Sequence, residues 1–172
     1  AAVRRVCLAI MLLVAPQSAW AEVVVTFYSH ELGSSFPHAF FTTKGKIDAT
    51  GTAVDANYGF TATSVTPAVL FGSVHGKMDI ATPKYIAASD PRFSLTLKDA
   101  DYAKLMKFVD EWKAYPQKSY NLNRRNCIHF VMEAAAILGL KVNRESKFFK
   151  KPRSFLEEVK ALNPQLQAMP AS

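Results

Sequence analysis

The chain has 172 residues, of which 49% are hydrophobic and 20% charged, and its 21 Lys or Arg against 14 Asp or Glu give a formal net charge of +7. With 7 Gly, 9 Pro and 2 Cys, this composition excludes a disordered chain, a collagen-like repeat and a disulfide-dense miniprotein, and it suits one domain with its own core. No apolar run reaches the roughly 20 residues that span a bilayer.

The first 21 residues have the pattern of a secretory signal peptide. Arg4 and Arg5 form a short basic segment, residues 6–15 are apolar, and the Ala-Trp-Ala at 19–21 has the small–x–small pattern of a cleavage site. We therefore expect residues 1–21 to be removed and the mature protein to be exported, to the periplasm or the medium.

Strand patterns dominate the next part of the chain. Runs of β-branched and aromatic residues predict strands at 23–28, 39–43, 52–58, 69–75, 78–81 and 92–97. The second and third of these are expected to form a hairpin around a glycine-containing turn. His38 stands at the start of the second strand, directly after Pro37.

The apolar residues then recur at helical spacing. Asp99 can cap a helix that runs to about residue 115, and Asn126 and Gly139 bound a second helix that has Cys127 in its first turn. A capping box at 154–157 predicts a last helix over 155–162. The sequence thus predicts one α+β domain, residues 22–163, with an antiparallel sheet packed against helices and a flexible tail at 164–172.

Cys127 is the only cysteine after the signal segment, and its position makes it a candidate nucleophile. The free N–H groups and the dipole of the helix start, together with Arg124 and Arg125, are expected to lower the pKa of the thiol from about 8.5 into the nucleophilic range. The same N–H groups could stabilise an oxyanion. The alternative is a buried, inert thiol that only packs.

A thiol nucleophile needs a base, and His38 is the candidate because a strand start can point its ring into a cleft beside the helix. His129 is expected to face away, since it lies roughly 200° round the helix axis from Cys127. Further residues that could line the site are His30, Tyr120, Asn126 and His75.

A third polar group has to orient the imidazole. On the return strand of the hairpin, Asp55 and Asn57 share one face, and Asn57 is favoured because it lies nearer to the strand end where His38 is expected. Asp55 and His75 are the alternatives.

These residues resemble a known family. The export signal, a strand histidine that precedes the cysteine, and the Asn-Cys-Ile-His-Phe at 126–130 are similar to the circularly permuted NlpC-type papain-like hydrolases, a group that includes lecithin retinol acyltransferase-like and YiiX-like proteins. The resemblance covers about residues 23–142. The chain departs from the acyltransferase-like branch in lacking a second histidine shortly after His38.

The resemblance implies a papain-like domain and a cysteine hydrolase or acyltransferase. Cys127 would attack an amide or ester carbonyl, His38 would activate the thiol, and no cofactor would be needed. The substrate would be a cell-wall peptide, a lipid or an N-acyl compound.

The segment 141–153 supports a second hypothesis, a non-catalytic protein that binds the cell envelope. Basic residues alternate there with two Phe and one acid, so the segment could contact an anionic membrane or cell-wall polymer. The contacts are expected from Lys147, Lys150, Lys151 and Arg153. Nucleic acid fits the charge but not the export, and the histidines and Cys127 lack the spacing of metal ligands.

Overall fold

The alternation of buried and partly exposed side chains along the first strand sets the two faces of a sheet. A computed structural model describes residues 22–31, 36–64, 66–115 and 119–168, so the predicted signal segment lies outside the described residues. The strands are β1 (Val23–His30), β2 (His38–Lys46), β3 (Ala53–Ala62), β4 (Gly76–Asp79) and β5 (Asp90–Leu97). They pair antiparallel in the order β4-β3-β2-β1-β5.

Four helices pack on this sheet: α1 (Pro83–Ala87), α2 (Asp99–Lys113), α3 (Cys127–Ile137) and α4 (Pro152–Leu162). The large core lies on one face, where Phe41 of β2 stacks on Phe130 of α3 with ring centroids 5.5 Å apart. The short α1 covers the other face through Tyr85, whose ring lies 5.8 Å from that of Phe40. No helix in the described ranges is long and apolar enough to cross a membrane.

The structure confirms the α+β class and the antiparallel sheet packed against helices; it corrects one predicted strand and adds one short helix. The strand predicted at 69–75 is wrong: Pro67–Leu70 forms a 3-10 helix, and only Val74 makes a bridge, to Tyr120. Helix α1 escaped the sequence analysis because five residues are too short for a periodic signal. Its start follows ordinary rules, since Thr82 Oγ1 accepts a hydrogen bond from the N–H of Tyr85.

The end of the chain also differs from expectation. Helix α4 begins at Pro152, at the first helical position that proline favours, rather than at residue 155. The tail predicted to be flexible forms a 3-10 helix at Pro164–Ala168, and Leu166 is buried in the core. Residues 169–172 lie outside the described part of the chain.

We expect Asn163→Ala to lower the free energy of unfolding by about 2 kcal/mol, because it leaves buried backbone groups unpaired. Asn163 is buried, accepts from the N–H of Lys141 at 2.9 Å, and donates to the carbonyls of Lys141 at 2.8 Å and Val159 at 2.7 Å. Urea unfolding would measure the loss. The exposed Asn123→Ala is the control, expected within about 0.5 kcal/mol of wild type.

Candidate active site

The start of α3 is held by the side chain of Asn126, which is buried. Its Oδ1 accepts from the N–H groups of Ile128 at 2.8 Å and His129 at 3.2 Å, as a helix N-cap does. Its Nδ2 donates to the carbonyls of Leu122 at 2.9 Å and Phe149 at 2.7 Å. The predicted cap is confirmed, and it fixes Cys127 as the first residue of the helix.

The thiol of Cys127 lies against the backbone at the start of β2, next to Ala39. The backbone N–H groups of Ala39, Ile128 and Cys127 itself point to the sulfur and act to lower its pKa. The pairing of β2 with β3 begins at Phe40, so Ala39 and His38 extend past that ladder to meet the start of α3. The start of β2 therefore meets the start of α3, and Cys127 and His38 line the same cavity.

Burial, however, outweighs the N–H groups and raises the pKa of the Cys127 thiol to about 11. The predicted lowering of this pKa is corrected: only 6% of the residue is exposed, and the protein interior stabilises a thiolate far less than water does. Arg125 does not oppose this effect, because its guanidinium is stacked 3.5 Å from the Trp112 ring centroid and 3.6 Å from that of Tyr115. The resting thiol is protonated at neutral pH.

The imidazole of His38 is buried and faces a carboxylate. Its Nε2 lies 3.7 Å from Oδ2 of Asp79, which is longer than a hydrogen bond, and has no hydrogen-bond partner within the described residues. Burial lowers the pKa of His38 to about 4; Asp79 acts to raise this pKa, and His30 acts to lower it. The ring is thus neutral at neutral pH, which is the form that accepts a proton.

The sheet register explains how His38 reaches Asp79. Phe40, Gly59 and Asp79 are paired across three adjacent strands, and His38 lies two residues before Phe40 on the same face. Gly59 has no side chain, and a Cβ built there would lie 2.7 Å from Nε2 of His38. The ring crosses β3 over this glycine.

The structure places Asp79 beside the His38 ring, where the sequence analysis expected Asn57. Asn57 is paired with Thr42, four residues along β2 from His38. Its amide accepts from the N–H of Ala81 at 2.6 Å and donates to the Ala81 carbonyl at 3.1 Å, so it holds the chain just after β4.

The two alternatives to Asn57 lie elsewhere as well. Asp55 is exposed and paired with Lys44, farther from the site, and His75 is an exposed residue whose carbonyl accepts from the N–H of Thr63.

A cavity of about 470 Å³ opens above these groups. It is lined by Cys127, His38 and Asp79, and also by Tyr120 and Asn126, as the sequence predicts. Burial, and then the neighbouring Cys127, raise the pKa of Tyr120, so its hydroxyl stays protonated and can donate a hydrogen bond.

Two of the predicted lining residues, His30 and His75, are not among the described residues that form the cavity wall. His30 is the last residue of β1, paired with His38, and its ring stacks on Tyr85 with centroids 4.1 Å apart. Its Nδ1 lies 2.9 Å from Oγ of Ser89. It therefore influences His38 through charge, while its ring is held in a packed contact behind the site.

His129 supports the site in a way that the sequence analysis missed. Its Nδ1 accepts from the N–H of Asn126 at 3.2 Å, which closes a capping box, and its ring stacks on Phe149 at 4.4 Å. The sequence signal for this capping box was the position of His129 three residues after the cap residue Asn126. Gly59 also carried a signal, because glycine inside a strand often marks a close approach, whereas nothing in the sequence marked Asp79.

The basic segment is largely exposed, with Lys147, Lys150, Lys151 and Arg153 at the surface and Lys150 also in the cavity wall. Among the described residues, no group of three or more His, Cys, Asp or Glu is placed to hold a metal ion.

Comparison with known proteins finds no similar protein. No protein-family model matches the chain, and neither the curated proteins nor the solved structures yield a match.

We expect Asp79→Asn to lower the pKa of His38 further below about 4, because the Asp79 carboxylate raises this pKa in the folded protein. NMR titration of the imidazole resonances would measure it. The control is Asp55→Asn, which removes a carboxylate from an exposed part of β3 and should leave the pKa of His38 unchanged. A higher pKa in Asp79→Asn would contradict the placement of Asp79 beside the ring.

Proposed function

We propose that the protein is an exported thiol hydrolase or acyltransferase that acts on an amide or ester bond. The observation that carries this proposal is the meeting of a thiol, an imidazole and a carboxylate in one cavity, on Cys127, His38 and Asp79. In that order, the three groups suit the roles of a nucleophile, its base and the residue that orients the base. The resemblance of residues 126–130 to permuted NlpC-type papain-like hydrolases supports the same chemistry.

The reaction starts from a neutral pair, because the pKa of Cys127 is about 11 and that of His38 is about 4. With the imidazole proton on Nε2, toward Asp79, Nδ1 is the nitrogen that accepts the thiol proton as Sγ attacks the carbonyl carbon. The Asp79 carboxylate stabilises the imidazolium that forms. Attack and proton transfer are thus coupled, and no thiolate has to exist beforehand.

Two donors are available for the developing oxyanion. Asn126 occupies the N–H groups of Ile128 and His129, which leaves the N–H of Cys127 as the helix-start donor near the sulfur. The protonated hydroxyl of Tyr120 lies in the same cavity wall. We assign these two groups to the oxyanion.

Collapse of the intermediate breaks the bond to the leaving group, which takes the proton from His38, and leaves the acyl group on Sγ as a thioester. Water then cleaves the thioester in a hydrolase, and an alcohol or amine does so in an acyltransferase. A cell-wall peptide, a lipid or an N-acyl compound fits this chemistry.

The test is acylation by p-nitrophenyl butyrate, in a Cys7→Ser background that leaves Cys127 as the sole thiol. We expect an acid-stable butyryl adduct on Cys127 by mass spectrometry. Nitrophenol release should fall about a hundredfold or more in Cys127→Ala and His38→Gln, and about tenfold in Asp79→Asn. The control variant His75→Gln should match wild type.

A binding-only protein with the same cavity is the second candidate, and the observation that favours it is the protonated, buried thiol. Its signature in the same experiment is nitrophenol release that does not change in Cys127→Ala, with no adduct on the thiol. That result would refute the enzymatic proposal.

We expect Gly59→Ala to slow acylation by about a hundredfold, because the new methyl group pushes the His38 ring away from Asp79, and misplacement of a base by about 1 Å costs about that much. Gly72→Ala is the matched control, since a Cβ at Gly72 meets nothing within 4 Å. Stopped-flow nitrophenol release would compare them. Equal rates would show that the ring position over Gly59 does not matter.

A further inference from the structure

Two large apolar side chains stand exposed at the opening of the cavity, and a third follows directly in the chain. Phe36 and Leu70 both line the cavity, yet they are 65% and 69% exposed, so they must lie at its mouth. Phe71, the next residue after Leu70, is 87% exposed. We call Phe36, Leu70 and Phe71 the lip.

Single exposed apolar residues are ordinary, but the lip is a cluster built from two separate chain segments. Leu70 ends the 3-10 helix Pro67–Leu70, and Phe36 precedes β2. Exposed apolar groups that gather at one opening mark a surface that meets a partner.

The charges beside the lip are positive. Lys77 and Lys150 are exposed and line the same cavity, and Lys147 and Lys151 are exposed neighbours of Lys150. Asp79 is the only acidic residue among the described residues that line the cavity, and it faces His38. The surface therefore offers apolar groups next to cations with little opposing charge.

We propose that the lip and these lysines form a docking surface for an anionic lipid bilayer. The apolar side chains would enter the acyl boundary, and the lysines would meet the anionic headgroups, the arrangement that interfacial proteins use. An anionic bilayer complements both parts of this surface, since its acyl region is apolar and its headgroups carry the charge that the four lysines attract.

Two exposed apolar residues lie at the far ends of the helices that begin at the cavity. Helices α3 and α4 both begin at the cavity, at Cys127 and Pro152, and each extends about 16 Å to its other end. Ile137 and Leu162, each 40% exposed, mark those far ends. Ile137 and Leu162 thus lie about 16 Å along these helices from the cavity, which makes them the matched exposed apolar residues away from the lip.

This proposal does not rest on catalysis, so Cys127→Ala should bind vesicles as wild type does. Vesicles of equal parts phosphatidylcholine and phosphatidylglycerol would be compared with phosphatidylcholine alone by co-sedimentation. We expect the full chain to bind the anionic vesicles, and the triple variant Phe36→Ser, Leu70→Ser, Phe71→Ser to bind about a hundredfold more weakly. The matched double variant Ile137→Ser, Leu162→Ser should keep wild-type binding.

The role of the lysine charges is tested with two single Lys→Glu variants, which change the net charge of the protein by the same amount. Lys150→Glu should weaken binding to the anionic vesicles about fivefold or more, whereas Lys46→Glu, at the far end of β2 from His38, should change it less than about twofold. Equal losses in the two variants would mean that only net charge matters, and would overturn the proposed surface.

Insertion is tested with an environment-sensitive fluorophore. In the Cys7→Ser, Cys127→Ala background, a label on Phe71→Cys should shift to the blue with anionic vesicles, and a label on Ile137→Cys should not. Three results would refute the proposal: no vesicle binding, binding that the triple variant retains, or lip-dependent self-association in sedimentation velocity without vesicles.

Discussion

The site depends on one buried amide. The side chain of Asn126 makes hydrogen bonds to three parts of the chain: the first turn of α3, the loop at Leu122 and the segment at Phe149. Because these parts carry the Cys127 thiol and two walls of the cavity, one side chain sets their mutual position. His129 reinforces the arrangement by returning a bond to the Asn126 N–H while stacking on Phe149. Buried and fully bonded polar groups of this kind hold a geometry that apolar packing alone would leave looser.

Burial governs the protonation of both reacting groups. A helix start favours a thiolate and a neighbouring carboxylate favours an imidazolium, yet desolvation is the largest contribution at Cys127 and at His38. Both groups are therefore neutral at rest. In the proposed mechanism, this arrangement gives Asp79 its role at the moment of proton transfer, when the imidazolium first exists, rather than in the resting site.

Sequence reasoning found the parts of the site that local rules specify. Asn126 as a cap, Cys127 as the first helical residue and His38 as the first residue of a strand all follow from signals within a few residues. Asp79 does not, because its position depends on the register of the four-residue strand β4 against β3, a long-range pairing. The prediction of Asn57 assumes that the end of β3 pairs with the start of β2 close to Asn57. The actual register of these two strands places Asn57 opposite Thr42. The sequence predicts a lowered pKa for Cys127, and burial raises it instead. The extent of burial depends on tertiary packing, which local sequence signals do not specify.

The position of β4 at the edge of the sheet determines which part of the site opens first when the protein unfolds. β4 is an edge strand held by β3 alone, whereas β2 is paired on both sides from Phe40 onward, and His38 itself is paired with β1 alone. Edge elements open by local fluctuation at lower free energy than the sheet centre. Amide exchange should therefore be faster in β4, around Asp79, than at Phe40 and Phe41 in the middle of the sheet. On warming, the molecule would pass through a state in which Cys127 and His38 still line the cavity while Asp79 has moved away from the imidazole.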